Sequence, residues 1–185
     1  ILHATAGNAT DFGDRTVSGG ELAAAFSNAT RGIATGGSAP VDTIDYVTIA
    51  QTGNAVDFGN LTQARGHSNG CSSPTRGITF GGEVSASPNF TNIMDFVTIA
   101  TLGDATDFGD ISSARRGVAS VSNATRGIAA GGDGPANVNT IEYVTISTLG
   151  NTTNFGDLTN TRGQSFAGMS SPVRGVFGNA APGGM

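Results

Sequence analysis

The sequence predicts an all-β chain of short antiparallel strands, organised as four repeats of one unit. No segment sustains apolar residues at the 3.6-residue spacing of a helix, whereas short β-branched runs alternate with turns rich in Gly, Asn and Ser. Three sequence markers recur with a common period of about 48 residues. Each period contains four segments with strand character, which together give the predicted fold class.

The repeat is defined by markers that keep their order and spacing along the chain. An Arg-Gly pair recurs with separations of 45, 50 and 48 residues, at Arg31, Arg76, Arg126 and Arg174. A Phe-Gly pair recurs with separations of 46, 50 and 47 residues, at Phe12, Phe58, Phe108 and Phe155. An aromatic residue followed by Val-Thr-Ile forms the third marker, at Tyr46, Phe96 and Tyr143. Three markers with one period indicate an array of structural repeats.

Each repeat is predicted to contain four strands, which we name A to D. In one repeat, strand A is 117–122, strand B is 128–130, strand C is 141–146, and strand D lies around Phe155. A turn at 123–127 joins strands A and B. Strand A consists of small residues, which suits an innermost strand crowded around an axis. Strand C has apolar residues on both faces, so we expect other sheets to cover both sides of it.

Four strands in 40 to 50 residues are typical of a β-propeller blade. The order of features resembles the kelch repeat, in which an apolar strand ends in Gly-Gly and an aromatic strand follows it. The Gly-Gly pairs begin at Gly36, Gly81 and Gly131, and the kelch-like Arg after the last aromatic is Arg65, Arg115 and Arg162. The resemblance spans the chain, with two departures: Trp is absent, and Gly178-Asn179 stands where the last Gly-Gly is expected.

The strand count predicts how the array ends. A/B pairs occur four times and complete C/D pairs three times, while residues 1–14 supply a truncated fourth C/D pair. Residues 1–14 and 163–178 are therefore predicted to share one blade, so that N-terminal outer strands pair with C-terminal inner strands. This gives a single domain, 1–185, folded as a closed four-bladed kelch-like β-propeller. The alternative is a segment of a longer array.

The residues that carry chemistry are scattered, so we predict no enzyme, no catalytic residue, no metal site and no cofactor. His3 and His67 fall on different strand types, and Cys71 is interpreted as a small packed residue. The Asp-Phe-Gly-Asp blocks, with acids such as Asp107 and Asp110, could instead bind Ca²⁺. Their recurrence in every repeat favours turns in which Asp and Asn accept backbone N–H groups. The repeated Arg-Gly arginines are likewise predicted to bind turn carbonyls, with an anion site as the alternative.

Charge and hydropathy narrow the partners. The formal net charge of −5 argues against non-specific nucleic-acid binding, and no apolar stretch suits membrane insertion. The segments Val-Thr-Ile, Gly-Asn-Ala-Thr-Asp-Phe-Gly-Asp and Ser-Asn-Ala-Thr-Arg-Gly-Ile are also similar to repeat sequences found among bacteriophage structural proteins. That resemblance implies a virion or extracellular location, and other virion proteins or a host-surface glycan as partners. Self-association within a larger assembly stays open.

Binding is predicted in the connections between strands B and C, because these vary while the frame repeats. The connections are 38–42, 83–92 and 133–140, and the candidate binding residues are Glu83, Ser85, Ser87, Asn89, Asp133, Asn137 and Asn139. The predicted function is a non-enzymatic structural or adhesion module of a virion, such as a decoration, fibre or tail-associated protein. The alternative function is a glycan-active enzyme on a propeller scaffold.

Overall fold

The computed structural model describes residues 7–18, 23–87, 89–163 and 166–179. Within these ranges it contains fourteen β-strands, arranged as three four-stranded antiparallel sheets and one two-stranded hairpin. No helix in the described part of the chain is long and apolar enough to span a membrane. The all-β prediction is therefore confirmed.

The strands follow one another in chain order within each sheet. Sheet 1 contains β1 (Ala24–Ser27), β2 (Arg31–Thr35), β3 (Val41–Thr48) and β4 (Val56–Arg65). Sheet 2 contains β5 (Asn69–Ser72), β6 (Arg76–Glu83), β7 (Phe90–Thr98) and β8 (Thr106–Asp110). Sheet 3 contains β9 (Ala119–Ser122), β10 (Arg126–Ala130), β11 (Val138–Thr145) and β12 (Thr153–Arg162). The hairpin contains β13 (Phe166–Ser170) and β14 (Gly175–Asn179), so the predicted A-to-D order is confirmed.

The turn between the first two strands is capped by Asn in sheets 1 and 3 and by Ser in sheet 2 and the hairpin. Asn28 Oδ1 accepts the backbone N–H of Arg31 at 2.9 Å, and Asn123 makes the same contact in sheet 3 at 2.8 Å. Ser73 in sheet 2 and Ser171 in the hairpin use Oγ for the equivalent bond, at 3.1 Å. These side chains satisfy backbone donors inside the turn, which fixes the start of each B strand at the Arg-Gly pair.

Apolar clusters fill the two spaces between successive sheets. Between sheets 1 and 2 the cluster consists of Phe26, Ile33, Ile44, Phe58, Leu61, Val97, Ile99 and Ala105. Between sheets 2 and 3 it consists of Cys71, Ile78, Phe80, Met94, Phe108, Ile111, Val118, Ala129, Val144 and Ile146. Sheet 2 is thus covered on both faces. The covering of both faces was predicted for the C strand at 141–146 in sheet 3, and there the cluster with sheet 2 covers one face. The small-residue strands β1, β5, β9 and β13 neighbour one another in that order.

The two ends of the array are not joined among the described residues, and no sheet closes. Phe155 in sheet 3 is 55% exposed, whereas its equivalents Phe58 and Phe108 are 3% and 2% exposed because the next sheet covers them. Residues 7–18 lie against sheet 1, where the Gly53 N–H donates to the Phe12 carbonyl at 2.7 Å. Residues 1–6, which include the strand predicted to close the ring, are outside the described ranges.

The third strand of each sheet begins earlier than the sequence predicts. β3, β7 and β11 begin at Val41, Phe90 and Val138, three or four residues before the predicted strand C. The extensions form because they find backbone partners: Val41 pairs with Arg65, and Phe90 with Glu83. The connection in sheet 2 is consequently reduced to residues 84–89 and the one in sheet 3 to residues 131–137, whereas the one in sheet 1 shifts to residues 36–40 without becoming shorter.

Candidate functional site

Three of the predicted binding residues lie in the connection between β6 and β7. Ser85, Ser87 and Asn89 all precede β7, and Asn89 has a φ of 68°. The Asn89 N–H donates to the Ala86 carbonyl at 2.7 Å, and the Val84 N–H donates to the Asn89 carbonyl at 3.0 Å. This left-handed residue and its two hydrogen bonds make the connection a tight turn at the end of sheet 2.

The other four predicted residues are divided between strands and loops. Glu83 is the last residue of β6, and Asp133 forms an isolated backbone bridge with Arg116. Asn137 directly precedes β11. Asn139 lies inside β11, so its assignment to a loop is wrong, because β11 extends to pair Val138 with Arg162.

Arg116 joins two of the predicted residues in one ion-pair network. Its Nη1 donates to Glu83 Oε2, and its Nε and Nη2 each donate to Asp133 Oδ2 at 3.2 Å. The guanidinium carbon lies 5.5 Å from the centre of the Phe90 ring. His67 Nδ1 lies 3.2 Å from Glu83 Oε2. The network therefore connects sheets 2 and 3 at the end where the B-to-C connections emerge.

The two acids of this network favour the charged form of Arg116. Burial alone lowers the pKa of Arg116, but hydrogen bonds and charge attraction from Glu83 and Asp133 outweigh it and raise that pKa above its ordinary value. About a quarter of each of these three side chains is exposed. Both carboxylates contact the same guanidinium, so the network presents fixed charges and hydrogen-bonding groups to solvent.

Arg116 and His67 belong to this site but were not among the residues predicted from the sequence. Arg65 and Arg162 are each followed by Gly, whereas Arg115 is followed by a second arginine. That single departure from the repeat was the available signal. No spacing rule linked His67 to Glu83, since the two come together only through the bridge between Gly66 and Glu83.

The acids of the third strands pair with arginines from the preceding repeat. Arg65 in sheet 1 binds Asp95 in sheet 2, and both side chains are buried. Arg115 binds Glu142 in sheet 3 in the same way. The pair at the N-terminal end joins Arg15 Nε to Asp45 Oδ2 at 2.9 Å. The kelch-like arginines Arg65 and Arg115 are therefore held in links between neighbouring sheets.

The Asp-Phe-Gly-Asp blocks form turns and contacts between sheets. Asp107 Oδ1 accepts the Gly109 N–H at 3.0 Å, and Asp11 Oδ1 accepts the equivalent N–H of Gly13 at 3.1 Å. In addition, Asp104 Oδ1 accepts the backbone N–H of Asn60 in the preceding sheet, at 2.9 Å. Within the described ranges no three His, Cys, Asp or Glu side chains cluster closely enough to hold a metal ion.

The arginines of the Arg-Gly pairs stack on the aromatic marker of their own sheet. The distances from guanidinium carbon to ring centre are 4.7 to 4.8 Å for the pairs Arg31–Tyr46, Arg76–Phe96 and Arg126–Tyr143. Arg31 Nη1 also donates to the Ile99 carbonyl of the next sheet at 2.7 Å, and Arg76 Nη1 donates to the Ile146 carbonyl at 3.2 Å. These bonds to turn carbonyls match the role predicted for the arginines.

Cys71 is expected to be unreactive in the folded protein. The thiol is buried between sheets 2 and 3, and burial, only partly offset by a hydrogen bond with Ser122, raises its pKa to about 12. We expect a disulfide-exchange reagent at pH 8 to label native protein at least about 100-fold more slowly than urea-unfolded protein, because almost no thiolate is present. Comparable labelling rates in the two states would contradict this burial.

The fold and these contacts define an all-β repeat protein in which one set of polar and aromatic contacts joins each sheet to the next. No protein-family model matches the chain, and no curated protein matches it. The described residues themselves must therefore support any assignment of function.

Proposed function

We propose that this chain is a non-enzymatic structural or adhesion module that displays short connections on a rigid repeat frame. One observation carries the proposal: in sheets 1 to 3 the repeated polar side chains contact other parts of the frame, whereas the network around Arg116 occurs once among the described residues. Asp95, Glu142 and the stacked arginines each contact another part of the frame. In repeat proteins, side chains that differ from one repeat to the next are the ones available to recognise a ligand, because the repeated side chains maintain the fold.

The finer architecture that we propose is a kelch-like propeller of four blades. Sheets 1, 2 and 3 are three of the blades, and the fourth combines residues 1–14 with residues 163–178 to close the ring. The strand order within each sheet and the order of the inner strands from β1 to β13 support this arrangement. Every sheet also repeats the same edge-to-face aromatic pair, at Tyr46–Phe58, Phe96–Phe108 and Tyr143–Phe155.

The proposed binding surface is the end of sheets 2 and 3 that carries the β6–β7 connection. Ser85, Ser87 and Asn89 supply hydroxyl and amide groups there, and the Arg116 network adjoins the connection because Glu83, which binds Arg116, is the last residue of β6 before it. Neutral hydrogen-bonding groups beside fixed charges suit a host-surface glycan or the polar surface of another virion protein. We accordingly place the protein on a virion or outside the cell, as a decoration, fibre or tail-associated component.

Removing the polar groups of the connection tests this proposal. The variant Ser85→Ala/Ser87→Ala/Asn89→Gly keeps the left-handed position while deleting the side-chain donors and acceptors. On a glycan array and against purified virion proteins, we expect the native chain to bind one ligand and the variant to lose about 10-fold or more in affinity, since each lost hydrogen bond costs about 1 kcal/mol.

The control is Thr101→Ala/Leu102→Ala in the turn between β7 and β8, which lies at the opposite end of the same sheet. The control is expected to bind like the native chain. Unchanged binding by the triple variant, or no ligand among either set, would contradict the proposed site. Release of free sugar from an array glycan would instead favour the alternative of a glycan-active enzyme.

A further inference from the structure

In β6, β10 and β14, a glycine near the start of the strand receives a side chain from the preceding inner strand. A Cβ added at Gly77 would overlap the ring of Phe26, and one added at Gly127 would lie 2.6 Å from Cys71 Sγ. At Gly175 the added atom would lie 2.9 Å from Val121 Cγ2. The glycine of the Arg-Gly pair is therefore a seat for one side chain of the neighbouring sheet.

The first of these glycines has no such neighbour. Among the described residues, a Cβ added at Gly32 would meet only Val47 Cγ2, at 3.3 Å, and Val47 belongs to the same sheet. The seat opens instead into a groove of about 470 Å³ on sheet 1, lined mainly by apolar atoms of Ala25, Phe26, Gly32, Ala34, Tyr46 and Val47. The groove thus lies where the preceding inner strand would pack.

The residue that matches this seat is Met169 in β13. Phe26, Cys71 and Val121 each pair across their hairpin with an apolar residue one position after the seat glycine, and Met169 holds the same register opposite Val176. Met169 is 65% exposed. In the described part of the chain, Gly32 therefore lacks the side chain that its equivalents receive, and Met169 is an exposed side chain at the matching register position.

A ladder of serines runs along the inner strands in the same direction. The hydroxyl of Ser72 donates to the Ser27 carbonyl at 2.7 Å, Ser122 donates to the Ser72 carbonyl at 2.8 Å, and Ser170 donates to the Ser122 carbonyl at 2.8 Å. Ser27 is the first member and Ser170 the last. Placing β13 beside β1 would let Ser27 donate to the Ser170 carbonyl and continue the ladder.

The outer segments show the same incomplete pattern. The N–H groups of Gly53, Gly103 and Gly150 donate to the carbonyls of Phe12, Phe58 and Phe108, at 2.7, 2.8 and 2.8 Å. Gly7 is the equivalent position for a bond to the carbonyl of Phe155, and no described residue beyond the chain neighbours comes within 4 Å of a Cβ added at Gly7 or Gly156. Residues 7–14 and the β13–β14 hairpin are therefore two halves of one blade, each resting on a different neighbour.

The two kinds of A-to-B turn alternate in a way that fits a seam between these ends. Asn28 Nδ2 donates to the Pro74 carbonyl at 3.2 Å, and Asn123 Nδ2 donates to the Pro172 carbonyl at 3.1 Å. The turn capped by Asn in sheet 1 therefore contacts the turn capped by Ser73 in sheet 2, and the turn capped by Asn in sheet 3 contacts the turn capped by Ser171 in the hairpin. If the hairpin packed on sheet 1, a turn capped by Ser would again be followed by a turn capped by Asn, as between sheets 2 and 3. Asn and Ser caps therefore alternate around a ring only when the number of repeats is even.

We propose that the β13–β14 hairpin of this same chain occupies the groove on sheet 1, with Met169 seated on Gly32 and Ser27 bonded to Ser170. The inference rests on the propeller architecture proposed above and identifies the residues of its seam. A tethered hairpin acts at an effective concentration on the order of millimolar, which favours it over a second copy at ordinary protein concentrations. The three existing sheet junctions supply the pattern for the contact.

A pair of cysteines across the seam tests the proposal. The variant is Gly32→Cys/Met169→Cys in a Cys71→Ala background, oxidised at micromolar concentration and examined by non-reducing electrophoresis and peptide mass spectrometry. We expect a disulfide within a monomer. The matched control is Gly127→Cys in the otherwise native chain, because it faces Cys71 at the equivalent position between sheets 2 and 3.

Two outcomes of this experiment would overturn the proposal. Disulfide-linked dimers and larger species would show that a second copy fills the groove. An unpaired Gly32→Cys/Met169→Cys variant, alongside a paired Gly127→Cys control, would show that the seam does not form. Either result leaves the glycan and virion-protein screen interpretable, because the β6–β7 connection lies on sheet 2, away from the seam.

A second measurement covers a cysteine variant that fails to fold. Met169→Asp is expected to lower the Tm by about 5 °C, because a seated methionine loses its apolar contacts. Val173→Asp is the control: Val173 is 94% exposed in the turn of the same hairpin, so its Tm should change by less than about 1 °C. A Tm for Met169→Asp equal to that of the control would contradict the seating.

Discussion

Replacing Arg115 by Leu is expected to lower the free energy of unfolding by about 3–5 kcal/mol. Arg115 and Glu142 are both buried between sheets 2 and 3, and Arg115 Nη2 donates to Glu142 Oε1. Without the guanidinium, the carboxylate stays buried with hydrogen bonds from the Ser112 N–H and the Thr152 hydroxyl but with no opposite charge. The expected loss measures this uncompensated charge more than the intrinsic strength of the pair.

Urea unfolding at pH 7 and 25 °C, followed by far-ultraviolet circular dichroism, measures the effect. The double variant Arg115→Leu/Glu142→Leu is expected to be more stable than Arg115→Leu, since it buries no unpaired charge. Arg76→Leu is the control: it removes a bond to the Ile146 carbonyl and stacking on Phe96, and should cost about 1–2 kcal/mol. An Arg115→Leu variant no less stable than Arg76→Leu would contradict the prediction.

The pH dependence of the unfolding free energy of the same variants tests the Arg115–Glu142 pair independently. Burial raises the pKa of Glu142, but hydrogen bonds from Thr152 and Arg115, the Arg115 charge and the Ser112 N–H outweigh it, so the native pKa is lowered. Its stabilising contribution is present above the unfolded pKa and is lost as pH falls through the native pKa. In Arg115→Leu we expect burial to raise the pKa, so that protonation removes the penalty. The stability difference between native and variant proteins should therefore narrow as the pH falls below neutrality.

The sequence predicted the frame well because each frame element carries its own local signal. The Arg-Gly pairs mark turns whose side-chain caps are two or three residues away, and the third strands carry their apolar alternation within one segment. The early start of β7 lacked such a signal: Phe90 becomes part of the strand only by pairing with Glu83. Strand length at these positions depends on a partner that no local pattern reveals.

The polar contacts between sheets were harder to predict from the sequence. Arg65 meets Asp95 and Arg115 meets Glu142 across separations of 30 and 27 residues, and nothing in either segment marks the acid as buried. Arg116 stands beside Arg115 in the sequence, yet one side chain is buried and the other partly exposed. The two arginines can be told apart only by aligning the repeats. When Arg115 is aligned with Arg65, Arg116 is the additional residue, and it is the one at the candidate site.

Replacing Gly77 by Val is expected to lower the free energy of unfolding by about 3 kcal/mol or more, because overpacking a filled seat strains both sheets. The added Cβ would overlap the ring of Phe26, which is itself buried in the cluster between sheets 1 and 2. The seat cannot widen without separating β1 from β5, since Ser72 bonds to the Ser27 carbonyl beside it. Gly178→Val is the control, because no described residue beyond its chain neighbours lies within 4 Å of a Cβ added at Gly178.

A double-mutant cycle separates this overlap from a general intolerance of Val in the strand. Phe26→Ala alone is expected to cost about 3–5 kcal/mol through the cavity it leaves. In Phe26→Ala/Gly77→Val the new side chain occupies part of that cavity, so the combined loss should be smaller than the sum of the two single losses by about 1 kcal/mol or more. Additive losses in urea unfolding would mean that Phe26 and Gly77 do not meet. The same result would remove the basis for assigning Met169 to Gly32, because both contacts depend on one rule of sheet packing.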